Sequence, residues 1–295
     1  MRRWLKRAGI GLGLVLLLLG GLFAVAWAHS ERALARTYLV ADPPLAVTSD
    51  PGTVERGRHL YVSRGCVGCH GDAAEGKLLF DAGPVARVVP PNLSRTLRDA
   101  TWTDDALAAA IRHGVRPDGT PLVFMPTVDY KDLDDADTAA IIAWLRTVPA
   151  SDNDPGRTEI RPLGRVLNLF GKFPMTPADG IDHAPRARAA PMAAATAEYG
   201  AYLAQVCTSC HGTDFHGGKV MVPGTPMTAN LTPHPDAMGS WSRDDFVRVM
   251  RTGVRPDGRE LHPMMPWREF GTMTDTELDA LWVHFATLPP VAPRG

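Results

Sequence analysis

Cys66-Val67-Gly68-Cys69-His70 and Cys207-Thr208-Ser209-Cys210-His211 hold all four cysteines of this 295-residue chain. Both stretches read C-x-x-C-H, the attachment sequence of a c-type haem. The spacing has a chemical reason: two thiols reach the two vinyl groups on one porphyrin edge, and the turn between them presents the next imidazole to the iron. A zinc ribbon pairs its Cys-x-x-Cys units roughly 15–20 residues apart, whereas 141 residues separate Cys66 from Cys207. A redox dithiol has no need of a histidine directly after its second cysteine. Two copies with the same trailing histidine therefore favour two covalently bound haem c groups, with Cys66, Cys69, Cys207 and Cys210 as attachment points and His70 and His211 on the iron.

The copies lie inside a longer internal repeat. ERGRHLYVSRG, ending at Gly65, precedes the first motif, and AEYGAYLAQV, ending at Val206, precedes the second. Each reads as a short helix leading into the attachment turn. Pro91-Asn92-Leu93-Ser94 then matches Asn230-Leu231-Thr232, and Trp102-Thr103-Asp104-Asp105 matches Trp241-Ser242-Arg243-Asp244-Asp245. Thr103 and Ser242 are suitable N-caps, with acids in the first turn where the helix dipole favours them. Leu107 and Ile111, like Phe246, Val249 and Met250, fall on one helical face. Gly-Val-Arg-Pro-Asp-Gly recurs unchanged at Gly114–Gly119 and Gly253–Gly258. Thr274 and Glu277 form a capping box ahead of the stripe Leu278, Leu281, Trp282, Phe285. In the first copy Asp134 caps a helix whose Ile141, Ile142 and Leu145 face inward. The helices close before Pro149 and Pro289. The recurring asparagines, Asn92 and Asn230, mark a structural loop of the repeat more than glycosylation acceptors.

At the N-terminus, Arg2, Arg3, Lys6 and Arg7 precede an uncharged run of 21 residues from Ala8 to Ala28. A helix of that length reaches roughly 30 Å, enough to cross a bilayer core. The basic cluster places its own end in the cytoplasm and the remainder of the chain outside. Ala26-Trp27-Ala28 also fits a signal-peptidase site, but the run exceeds the roughly 7–15 residues of a secretory apolar region and favours a retained anchor. The expected layout is an anchor or signal peptide over 1–28, a tether over 29–50, domains over 51–150 and 196–290, and a connector over 151–195. Lys and Arg total 31 against 32 Asp and Glu, for a net charge of −1, which speaks against nucleic acid as a partner.

In this order of motifs each repeat resembles a class I cytochrome c domain: N-terminal helix, C-x-x-C-H turn, long loop, Met-Pro loop and C-terminal helix. Asn-Leu-Thr, Gly-Val-Arg-Pro-Asp-Gly and Met-Pro in sequence further resemble the cytochrome c subunits of membrane-bound bacterial alcohol and gluconate dehydrogenases. Those subunits usually carry three haem domains, where this chain has two. The resemblance implies a mostly α fold of two tandem class I domains after a single transmembrane helix. It also implies a methionine as the second axial ligand in the loop after the shared glycine, namely Met125 and Met265. His70 lies 55 residues before Met125, and His211 lies 54 before Met265. An ungapped alignment from the glycine selects Met264 instead. His216 and His262 are alternative nitrogen ligands for the second iron. Trp102, Trp241, Arg116 and Arg255 are either packing and surface groups or partners for haem propionates. His113 reads as a helix C-terminal dipole partner or a surface group.

An iron held by protein on both faces offers one-electron transfer and no substrate position. The expected protein is an electron carrier, not an enzyme, anchored in the bacterial inner membrane with its haem domains in the periplasm. Its expected partners are the lipid bilayer and redox proteins: a dehydrogenase or quinol-linked donor, and a soluble cytochrome or terminal oxidase as acceptor. The competing reading is a diheme peroxidase or sulfur-compound dehydrogenase, which needs an open or cysteine-held axial position. A subunit of a haem–copper oxidase would differ from the carrier only in its partner.

Overall fold

The computed structural model describes residues 2–221 and 224–293. The chain opens with helix α1, Arg2–Leu34, which is long and apolar enough to cross a membrane. Residues 2–25 of this helix are exposed, and its last two turns dock on the folded part through Ala26 and Ser30.

The first domain contains α2 (Pro51–Ser63), α3 (Cys66–His70), α4 (Leu93–Thr96), α5 (Asp104–His113) and α6 (Asp135–Thr147). Helix α7 (Pro162–Leu169) follows it. The second domain holds α8 (Ala197–Leu203), α9 (Thr208–His211), α10 (Arg243–Thr252), α11 (Trp267–Phe270) and α12 (Asp275–Thr287). The helix starts follow the capping chemistry of the sequence. Thr103 accepts from Ala106 N–H, and Asp134 from Asp137 N–H. Ser242 with Asp245, and Thr274 with Glu277, close reciprocal capping boxes. Gly114 and Gly253 end α5 and α10 in the left-handed conformation, with φ of +67° and +71°.

Each domain is organised on one helix crossing. α2 lies across α6, and α8 across α12, and in both pairs the closest point is a glycine against a backbone carbonyl. A Cβ on Gly57 would overlap the Ala140 carbonyl, and one on Gly200 would overlap that of Ala280. Leu60, Tyr61, Ile142 and Trp144 fill the first crossing; Leu203, Leu278, Leu281 and Phe285 fill the second. The two cores merge into one continuous cluster.

Residues 151–195 are themselves folded. Strand β3 (Glu159–Ile160) joins a small antiparallel sheet with β1 (Phe80–Asp81) and β2 (Ala86–Val88), in the order β1-β2-β3, with Ala86 opposite Ile160. Helix α7 then packs on the β1–β2 turn and on α1, and Met175 sits fully buried beneath the loop around Phe124, whose N–H it accepts. The segment expected as a connector thus packs against the first domain through β2, the β1–β2 turn and the loop around Phe124.

Replacing Gly200 by alanine should destabilise the protein by about 1–3 kcal/mol, because the added methyl meets main chain that cannot rotate away. Chemical denaturation of the haem-loaded protein measures it, and an unchanged midpoint would contradict the close crossing.

Candidate functional site

The two C-x-x-C-H stretches adopt matching conformations by slightly different routes. In the first, α2 ends at Arg64 and Gly65, at φ +82°, turns the chain into α3. In the second, α8 tightens into a 3-10 turn over Ala204–Cys207 before α9. Both leave through a glycine of positive φ, Gly71 and Gly212. Both are then closed by a glycine N–H donating back to the histidine carbonyl: Gly76 to His70 at 2.7 Å, Gly217 to His211 at 2.8 Å.

The closure aims the imidazoles. His70 Nδ1 donates to the Pro91 carbonyl at 3.2 Å, and His211 Nδ1 to the Ala229 carbonyl at 2.7 Å. With the proton on Nδ1, the lone pair of each neutral ring sits on Nε2, the atom free to bind a metal. Burial pushes the pKa of both imidazoles down and so keeps them neutral. Burial and the neighbouring cysteine push the Cys66 thiol up to about 12; burial and the Asp129 carboxylate do the same for Cys207. That is the reverse of the lowered pKa an activated redox dithiol needs.

The loops after the shared glycines also superpose in their hydrogen bonding. Arg116 N–H donates to Thr120 and Arg255 N–H to Arg259, both at 2.8 Å. Thr127 N–H donates to the Met125 carbonyl and Trp267 N–H to that of Met265, again both at 2.8 Å. Pro126 and Pro266 share nearly identical backbone angles, φ/ψ −77°/54° and −79°/55°. Structurally, Met265 is therefore the counterpart of Met125. Met265 is half-buried against the core, whereas Met264 is 45% exposed.

In the second domain these parts enclose one cavity of about 820 Å³, lined by Cys210, His211, Trp241, Arg255, Met264 and Met265 among others. His216 and His262 reach the same cavity. His216 is drawn toward Asp214, 3.1 Å away, and His262 Nδ1 accepts from Met264 N–H. A wide, largely apolar cleft with a thiol, a neutral imidazole and thioethers on its walls suits a flat apolar macrocycle holding an iron centre. The donor set thus fits haem c. Asn92 and Asn230 act as braces of this loop: their side-chain amides donate to Ser151 and Val291 carbonyls beyond each domain's last helix.

Several functional-looking contacts cross between the domains and leave no pattern along the chain. Asp129, four residues after Met125 and 7% exposed, accepts from Ser209 Oγ at 2.6 Å and Thr208 Oγ1 at 3.2 Å, inside the second C-x-x-C-H. His59 Nε2 lies 2.9 Å from Glu277, and Tyr202 donates to Asp137 at 2.6 Å. Arg64 lies over the Tyr202 ring and donates to the Leu203 carbonyl at 3.3 Å. The one legible hint was that Asp129 and Glu269 occupy matched positions after Met-Pro. His113 is no surface group: it is fully buried, with Nε2 2.9 Å from Asp42 of the tether.

Burial pushes Asp129 up to about 6, against the hydrogen bonds from Ser209 and Thr208 that pull it down. A carboxyl whose folded-state pKa is raised stabilises the fold below its unfolded pKa near 4, and that contribution is lost as pH rises through 6. The stability of the native protein relative to Asp129→Asn should therefore fall by up to about 3 kcal/mol between pH 4 and pH 7. Thermal unfolding of both proteins across this range checks it; a pH-independent difference would contradict the buried carboxylate.

The family model described as cytochrome c oxidase, cbb3-type, subunit III matches residues 52–145 and 193–284. The chain is 34% identical over 95 residues to the cytochrome c subunit of the quinone alcohol dehydrogenase of Gluconobacter oxydans, covering 29% of this chain and 20% of that one. Identity to the gluconate 2-dehydrogenase cytochrome c subunit of Pantoea cypripedii is 36% over 95 residues, covering 29% and 22%. The fructose dehydrogenase cytochrome subunit of Gluconobacter japonicus is 23% identical over 292 residues, covering 89% of this chain and 58% of its own length. The chain thus spans from 20% to 58% of these relatives.

Proposed function

The chain belongs to the cytochrome c family described by the cbb3-type oxidase subunit III model, with two tandem domains of that kind, and from this premise we propose that it is a membrane-anchored diheme electron carrier. Haem c bound in each domain would supply a one-electron iron couple. The protein's own part is to hold the metal on both faces. His70 and His211 would bind through Nε2, with Nδ1 fixed by a main-chain carbonyl so that the ring cannot turn. Met125 and Met265 would be the second protein donors, soft and neutral, of the kind that raises a haem's reduction potential. The observation that carries this reading is the matched geometry of the two Met-Pro loops.

Two protein donors for each iron would leave no place there for peroxide or a sulfur compound. Electron transfer through the porphyrin edge is what remains. The named relatives are cytochrome subunits of dehydrogenases, which supports a dehydrogenase as electron donor; the acceptor in this reading is a further carrier or terminal oxidase. In this reading α1 is a single-pass anchor in the bacterial inner membrane and the two domains stand in the periplasm.

The purified full-length protein should contain two haems per chain by the pyridine haemochrome assay. Its oxidised spectrum should show the weak methionine–iron charge-transfer band for both centres. Met125→Ala and Met265→Ala should each halve that band and move one of two redox waves to lower potential, with Met264→Ala leaving both unchanged. Loss of the band on changing Met264 would reassign the ligand. Rapid stoichiometric cyanide binding by the unmodified protein would instead favour an enzyme with an open axial position.

A further inference from the structure

Helix α7 presents an apolar stripe to the outside. Leu163 and Phe170 are 43% and 61% exposed, with Val166 and Leu167 half-buried between them, so the stripe runs at i, i+3/i+4, i+7 along one face. The opposite face is committed to protein. A Cβ on Gly164 would overlap the Val85 carbonyl, and Arg165 is buried. The orientation of the stripe is therefore fixed by main-chain contact.

The position of α7 along α1 says what covers it. The Arg165 guanidinium stacks on the Trp27 ring at 3.7 Å and pairs with Glu31 at 2.8 Å. Trp27 belongs to the last turn of the uncharged run that ends at Ala28, and Glu31 lies one turn beyond. One turn is about 5.4 Å, so α7 sits at the level where the span leaves the hydrocarbon. Tryptophan at such a boundary is the usual interfacial anchor, and Lys172 is exposed just past the stripe. An outward apolar stripe on a short helix, continuous with a membrane span, matches an interfacial helix and not a water-facing one.

We propose that α7 lies in the headgroup–acyl boundary of the same bilayer that α1 crosses, with Leu163 and Phe170 inserted among the lipid chains. The inference rests on the anchored reading of α1. It gives the first domain a fixed seat on the membrane through two elements, in place of a body swinging on a single tether.

The test uses the full-length, haem-loaded protein, in which all four native cysteines are consumed as thioethers. Leu163→Cys, Phe170→Cys and, as a control, Met192→Cys (84% exposed in the native chain) each add one free thiol. The variants are reconstituted singly into phosphatidylethanolamine–phosphatidylglycerol vesicles, with no other protein, and treated with a charged, membrane-impermeant maleimide. The thiols introduced by Leu163→Cys and Phe170→Cys should react at least tenfold more slowly than the one introduced by Met192→Cys, at every protein-to-lipid ratio. Equal rates in protein that floats with the vesicles would overturn the seating of α7 while leaving the anchor intact. Protection that appears only at high protein density would replace lipid by a second copy of the chain. Protein that fails to float would overturn the anchor and this inference together.

Discussion

Both halves of the molecule depend on a place where two helices touch main chain to main chain. Gly57 on α2 meets Ala140, and Gly200 on α8 meets Ala280. No larger residue fits, so each crossing has one depth and one angle, and the side chains around it pack to suit. Everything that follows each glycine inherits this constraint. The attachment turn begins nine residues after Gly57 and seven after Gly200, and the two-residue difference is absorbed by the 3-10 turn ahead of Cys207. The crossing thus fixes where the imidazoles stand, and the main-chain carbonyls of Pro91 and Ala229 fix how they turn.

The two domains meet in a reciprocal manner. His59 on α2 reaches Glu277, the third residue of α12; Tyr202 on α8 reaches Asp137, the third residue of α6. Phe270 of α11 approaches Gly65, and Asp129 approaches Ser209, so each Met-Pro loop extends to the other domain's attachment segment. Because the apolar core runs unbroken between the halves, their spacing is set by packing, not by the length of the chain that joins them.

Much of this was legible along the chain. The caps at Thr103, Asp134, Ser242 and Thr274 are local chemistry and stand where the side chains put them. The repeat located both domains, since the same glycines and prolines recur in the same order. The candidate site was legible for the same reason: covalent haem attachment demands a contiguous motif, and the Met-Pro loops recur at nearly equal intervals. The cross-domain contacts were not. A lone His59 or Asp129 has a partner about 80 to 220 residues away, and no periodicity announces a contact at that range. The fold of residues 151–195 was obscured by composition, because prolines and arginines that suggest a connector serve here as helix starts and buried ion pairs, as with Pro162 at the start of α7 and Arg188 with Asp42 at 2.5 Å.

The interface has the layout of an isologous dimer whose protomers have been joined in one polypeptide. Two identical subunits must carry the same residue at both ends of their symmetry axis; a tandem duplication is released from that rule. Here the release has been used. Equivalent positions hold an imidazole facing a carboxylate on one side and a phenol facing a carboxylate on the other. The molecule consequently has a head and a tail, a directionality that no two-fold symmetric pair of like subunits could possess.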